Sequence, residues 1–166
     1  TKHLLIISTS SMKKLMILGA SVLQIPAIVE AKKLGLYVIA VDMNSNAEGF
    51  SYADKKIVVS TTDTEKVLEE AKKNKIDGII TIASDRPMTT VAKVAKKLDL
   101  IGIDEKTAIN ATNKSKMRDA LKAYGAPIPM YFSVDNYDQY LKAVDEIIMK
   151  RYKCIIKPED NSGSRG

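Results

Sequence analysis

With one cysteine, Cys154, and one histidine, His3, the chain has little of the side-chain equipment that metal and nucleophilic sites commonly use. A single thiol can form neither an internal disulfide nor a cysteine-based zinc site. Cys154 stands in an apolar run, so it reads as a buried small hydrophobe, and a reducing cytoplasm fits that reading. His3 belongs to Thr1-Lys2-His3-Leu4-Leu5-Ile6-Ile7-Ser8-Thr9-Ser10-Ser11, which precedes Met12-Lys13-Lys14. Residues 1–11 read as an added leader or an upstream extension, outside the fold, and give His3 no catalytic role. No apolar run approaches the ~20 residues that a helix needs to span a bilayer, so no membrane partner is expected. Aromatic residues make up only 5% of the chain. The tight basic pairs Lys32-Lys33, Lys72-Lys73 and Lys96-Lys97 fall near predicted helix ends, where they favour the macrodipole and water. Without a clustered basic face and stacking aromatics, nucleic acid is not an expected partner.

What is present is ordinary for a globular protein: 166 residues, 45% hydrophobic, 28% charged, net charge +6. That length accommodates one domain, or one domain and part of another. A surface of this sign also draws phosphorylated or carboxylate ligands. From Met12 onward apolar strand runs alternate with helical periodicity. Leu15–Leu18, Tyr37–Asp42, Lys56–Val59, Gly78–Ile82 and Leu100–Gly102 read as strands. Helices are predicted after Gln24, after a Thr62/Glu65 capping box and after Asp85. Repeated strand–helix units with short links predict a doubly wound, mainly parallel α/β sheet over 12–104. Beyond residue 105 the rhythm changes to helices at Lys114–Tyr124 and Tyr137–Met149, with strands expected at Met130–Ser133 and in the apolar run from Tyr152. Residues 105–166 therefore read as an incomplete α+β second domain.

Three segments carry candidate chemistry. Gly19-Ala20-Ser21 lies where a strand meets a helix, a place where N–H groups favour an anion. With Asp42 about twenty residues on, it invites a dinucleotide reading, but the spacing is not G-x-G-x-x-G. Asp85 follows the fourth strand at the same sheet edge, either as a ligand contact or as the N-cap of the next helix. At the chain's end Ile155-Ile156-Lys157-Pro158-Glu159-Asp160-Asn161-Ser162-Gly163-Ser164-Arg165-Gly166 runs from an apolar segment through a lysine into a Gly/Ser loop. Such a loop can turn backbone N–H groups toward a phosphate, with the lysine supplying a point charge.

The last segment resembles the strand and glycine-rich lid of the ATP-grasp ligases. Leu18–Pro26 resembles the opening of the pre-ATP-grasp domain of carboxylate–amine ligases, and Ala111-Thr112-Asn113-Lys114-Ser115-Lys116-Met117 resembles the approach to the first ATP-grasp helix. The resemblance implies ATP contacts from Lys114, Lys157, Ser162, Gly163, Ser164, Arg165 and Gly166, with Lys116 in place of Lys114 if the register shifts. It implies substrate contacts from Gly19, Ala20, Ser21, Gln24 and Asp85. It divides the chain into a Rossmann-like pre-ATP-grasp domain, 12–104, and the start of an ATP-grasp domain, 105–166.

By the same resemblance the whole protein is an ATP- and Mg²⁺-dependent ligase that activates a small carboxylate as an acyl phosphate for attack by an amine or similar nucleophile. The metal ligands are expected beyond Gly166 and none within this chain, which alone is expected to be inactive. Thr61-Thr62-Asp63-Thr64-Glu65 and Ile76-Asp77-Gly78-Ile79-Ile80 resemble the carbamoyl-phosphate-synthase-like and purine-pathway carboxylase-type branches. A homodimer is a further expectation. Two rivals stay open: a nicotinamide-dependent Rossmann oxidoreductase using Gly19 and Asp42, and a non-catalytic small-molecule-binding module.

Overall fold

The computed structural model describes residues 12–159. The chain divides into two compact units, Thr1–Gly102 and Ile103–Gly166. In the first, strands β1 (Lys14–Leu18), β2 (Tyr37–Asp42), β3 (Lys55–Val58) and β4 (Gly78–Thr81) form one parallel sheet in the order β3-β2-β1-β4. Parallel strands need crossovers: helix α1 (Ile25–Lys33) links β1 to β2, a 3₁₀ turn at Glu48–Tyr52 lies between β2 and β3, and α2 (Thr64–Asn74) links β3 to β4, with α3 (Met88–Lys97) following β4.

The two central strands are apolar at nearly every position because both faces of the sheet are covered. Alternation sorts their side chains. Met16, Leu18, Ile39 and Val41 join Val67, Leu68, Val91 and Val94 on the face covered by α2 and α3. Ile17, Val38 and Ala40 join Ile28 and Ala31 of α1 on the other. Burying one such side chain contributes about 1.5–3 kcal/mol, so these two cores dominate the stability of the first unit.

Local chemistry sets the helix ends, and it departs from the sequence reading in two places. The expected Thr62/Glu65 capping box does not start α2. Asp63 does, its carboxylate accepting the Lys66 N–H at 3.2 Å, while the Thr62 hydroxyl turns to Ser60 Oγ at 3.0 Å. An aspartate one residue closer reaches the same turn, and its charge suits the helix N-terminus. Nor does Leu100–Gly102 form a fifth strand. Asp99 takes a left-handed φ of 54°, and the Leu100 N–H donates to the Ala95 carbonyl at 2.8 Å. That is a Schellman close to α3: the apolar side chain of Leu100 packs on the core while Ile101 is fully exposed.

Asp54 joins α1 to the sheet, accepting from the Lys32 ammonium and, at 2.7 Å, from the Val38 N–H. Burial works to raise its pKa, but the Lys32 ammonium and the Val38 amide outweigh it and hold the carboxyl below the ordinary aspartate range. A pKa lowered in the fold adds stability above the unfolded value of about 3.9, and that stability is lost as pH falls through the lower folded value. Asp54→Asn is therefore expected to flatten the acid limb of stability below about pH 4. Urea midpoints measured from neutral pH down to about pH 3 check this, and a limb as steep as wild type would refute it.

The second unit contains α4 (Glu105–Thr112), α5 (Lys114–Ala123) and α6 (Tyr137–Met149), capped by Asp104, Asn113 and Asn136. Neither expected strand forms among its described residues. Met130–Ser133 and the run from Tyr152 are irregular, with Ile155 81% and Ile156 71% exposed. Cys154 is exposed, contrary to its reading as a buried hydrophobe. The cause is common to all three: a strand needs a neighbour to pair its backbone groups, and no described segment supplies one.

Candidate functional site

In a parallel sheet all strands point the same way, so the loops after β1, β2 and β4 share one edge. That edge gathers Gly19, Ala20, Ser21, Gln24, Asp42 and Asp85. Gly19 opens the first loop at φ +102°, a conformation that L side chains rarely adopt, and an added Cβ would lie 3.0 Å from Gln24 Cδ. Its N–H donates to the Val41 carbonyl at 2.8 Å. The Ala20 N–H donates to Asp42 Oδ2 at 2.9 Å, and the Ser21 N–H to Gln24 Oε1 at 3.1 Å. The other carboxylate oxygen of Asp42 accepts the Asn44 N–H at 2.9 Å.

These bonds change two expectations. Three consecutive amides that could have faced an anion are committed inside the protein, so Gly19-Ala20-Ser21 is not an open phosphate cradle. Asp42 braces that loop, which takes the pyrophosphate-and-ribose arrangement away from the nicotinamide rival. Gln24 is only 3% exposed, with its Oε1 held by Ser21 and its Nε2 donating to the Ile82 carbonyl at 2.7 Å, so it sits behind the loop. Ser21 is half-buried and Asp85 exposed. Nor is Asp85 the side-chain cap of α3: the residue before the helix is Pro87, without a side-chain bond, and Asp85 contributes only its carbonyl, to the Met88 N–H at 3.0 Å. Its carboxylate makes no hydrogen bond or ion pair among the described residues.

Two contributors were missed from sequence. Gly49, in a 3₁₀ turn over Glu48–Tyr52, donates its N–H to the Ala20 carbonyl at 2.7 Å. Ala83 holds a left-handed φ of 55° between β4 and Asp85. Neither lies in a motif, and only the tertiary contact shows what each does.

In the second unit Lys114 is the first residue of α5. Its ammonium donates to the Pro158 carbonyl at 2.9 Å, and its backbone N–H to the Glu159 carbonyl at 3.1 Å. The fold thus brings Lys114 beside the residues that follow Lys157, 43 positions away in the chain (157 − 114). Lys157 is exposed. The first turn of α5 has no acidic residue, and Lys114 and Lys116 stand at its positive end. Cations at a helix N-terminus work against the helix dipole. Lys116 is exposed, its N–H taken by the Asn113 side chain at 2.9 Å. Ser162, Gly163, Ser164, Arg165 and Gly166 lie outside the described residues. Among those described, no cluster of three or more His, Cys, Asp or Glu side chains could hold a metal ion, and no helix is long and apolar enough to cross a membrane.

Over 159 residues the chain is 27% identical to the formate-dependent phosphoribosylglycinamide formyltransferase of Maridesulfovibrio salexigens, covering 95% of this chain and 40% of that one. The enzyme of the same description from Hydrogenovibrio crunogenus is 29% identical over 154 residues, 92% of this chain and 38% of its own. Among solved structures, phosphoribosylglycinamide synthetase from Anaerococcus prevotii superposes with a TM-score of 0.68 at 30% identity, over 81% of this chain and 34% of that one. N5-carboxyaminoimidazole ribonucleotide synthetase from Thermotoga maritima gives a TM-score of 0.66 at 26% identity, over 80% and 36%. No protein-family model matches the chain. It spans 40% or less of the length of each of these relatives. With its Rossmann-like parallel sheet and these relatives, the chain is similar to the N-terminal part of ATP-grasp ligases.

Proposed function

We propose that the whole protein is an ATP- and Mg²⁺-dependent ligase that activates a small carboxylate as an acyl phosphate, and that residues 105–166 open its nucleotide-binding domain. One observation carries the nucleotide half: the ammonium and amide of Lys114 both reach the backbone at Pro158–Glu159, next to Lys157. Two lysines far apart in sequence are thereby brought near one another at the approach to the Gly/Ser segment. On this reading Lys114 and Lys157 hold the α- and β-phosphates, and Ser162–Gly166 close over them. Bound Mg²⁺ would supply charge neutralisation during phosphoryl transfer. The sheet edge of the first unit holds the co-substrate, with half-buried Ser21 lining it and the uncommitted carboxylate of Asp85 available to it. Relatives named for phosphoribosylglycinamide and N5-carboxyaminoimidazole ribonucleotide favour the purine-pathway branch, and a cytoplasmic location suits such a substrate.

In the whole protein Lys157→Ala is expected to weaken ATP·Mg²⁺ binding by about 10- to 100-fold, since losing one charged partner of a phosphate costs about 1.5–3 kcal/mol. Lys114→Ala is expected to act similarly, and Asp42→Ala to leave ATP affinity nearly unchanged. Calorimetric titration of the four proteins with ATP·Mg²⁺ and with NADH decides it. Tight NADH binding that Asp42→Ala abolishes, with no ATP binding anywhere, overturns the assignment.

A further inference from the structure

Gln24 occupies the residue before α1, where Ser, Asn or Asp would turn a side chain back to cap the helix. Its side chain makes no such bond. Instead it lies 97% buried between two loops, accepting at Oε1 from the Ser21 N–H at 3.1 Å and the Ser21 hydroxyl at 2.6 Å, and donating from Nε2 to the Ile82 carbonyl at 2.7 Å. Ile82 is 58 positions from Gln24 and immediately precedes Ala83, whose φ of 55° is one that an alanine adopts only when its surroundings hold it there. Two residues further on stands Asp85. One buried amide therefore ties the loop that carries Ser21 to the turn that presents Asp85. A buried amide that lost either partner would bear the desolvation cost of an unpaired polar group, so the two attachments are held together.

We propose that Gln24 is a positioning residue, which couples the β1–α1 loop to the left-handed turn after β4 so that Ser21 and Asp85 are presented to a ligand as one unit. The proposal rests on the reading of this edge as the co-substrate site, and it deepens that reading by naming what holds the edge in register. Direct contact of Gln24 with substrate is not part of it.

The selective variant is Gln24→Glu. A carboxylate still accepts from Ser21 but has no hydrogen for the Ile82 carbonyl, so only the attachment to the second loop is cut. In the 166-residue chain, NMR order parameters at 83–85 are expected near the rigid value of about 0.85 in wild type and below about 0.6 in Gln24→Glu. Those of Ile17 and Ile39 in the central strands stay near 0.85 in both. Should Gln24→Glu not fold, Ser21→Ala is the second variant. It removes the hydroxyl donor from Gln24 and is expected to lower the order parameters at 83–85 although Ser21 lies on another loop. Unchanged values at 83–85, or an equal fall in the central strands, overturn the proposal. Ribose 5-phosphate serves as the ligand probe: in wild type the amides of Ser21 and Asp85 should shift with one apparent Kd, and in Gln24→Glu the Asp85 response should weaken at least tenfold. Absence of any shift in wild type refutes the co-substrate site, and the order parameters then decide the coupling by themselves. Shifts at Ser21 and Asp85 that weaken together in Gln24→Glu refute the coupling alone.

Discussion

Met16→Ala is expected to destabilise the chain by about 2–5 kcal/mol, more than any surface change in it. Met16 has no exposed surface and sits on the strand paired on both sides, opposite Ile39 and Ile79. Truncation removes its transfer free energy and leaves a cavity that α2, α3 and two neighbouring strands surround, so collapse is difficult. Urea unfolding followed by far-UV circular dichroism measures the loss, with an unchanged slope showing that the unfolded ensemble is the same. Ile155→Ala is the matched control: at 81% exposure its effect should stay within about 0.5 kcal/mol. Equal losses for the two would mean that the core is not where this structure puts it.

Gly49→Ala is the second large effect, and it reaches the candidate site. A Cβ on Gly49 would lie 2.6 Å from the Ala20 carbonyl oxygen and 3.0 Å from its carbon, both backbone atoms with no rotamer to yield. The 3₁₀ turn and the β1–α1 loop must separate, losing the 2.7 Å bond from the Gly49 N–H. Overpacking costs about 1–3 kcal/mol, and an unpaired buried carbonyl adds about 1–3 more. Thermal unfolding should show the loss, and NMR shifts should move at Ala20 and Ser21 while the far ends of β1 and β2 stay as in wild type. A variant as stable as wild type would show that the close approach does not exist in solution.

How far the sequence could be read differed between the two units. Of the first unit's four paired strands, β1 and β2 were legible because each is a short apolar run, and burial on both faces leaves such runs no polar period to confuse them. α5 and α6 were legible from apolar spacing. The strands at Met130–Ser133 and Tyr152–Lys157 were read from composition, but composition states only that a segment could pair. Leu100 was misread for a different reason, since a Schellman close and a short strand both place one apolar residue after a helix.

The candidate site divides in the same way. Lys114, Lys157, Ser21 and Asp85 were legible as residue types in recognisable surroundings. What each does was not, because hydrogen-bond partners across 22 residues (Asp42 to Ala20) or 58 (Gln24 to Ile82) follow from the order of strands in the sheet. The clamp of Gly49 on Ala20 and the left-handed turn at Ala83 have no local signature at all. By itself the sequence determined the alternation of strands and helices, the two-faced burial of β1 and β2 and the family likeness, because these depend on local periodicity and on motifs contiguous in the chain. Only the tertiary structure decided that Asp42 is a brace, that Gln24 is a tie and that Lys114 meets the segment after Lys157. A committed donor or acceptor is defined by its partner, and the partner is chosen by packing.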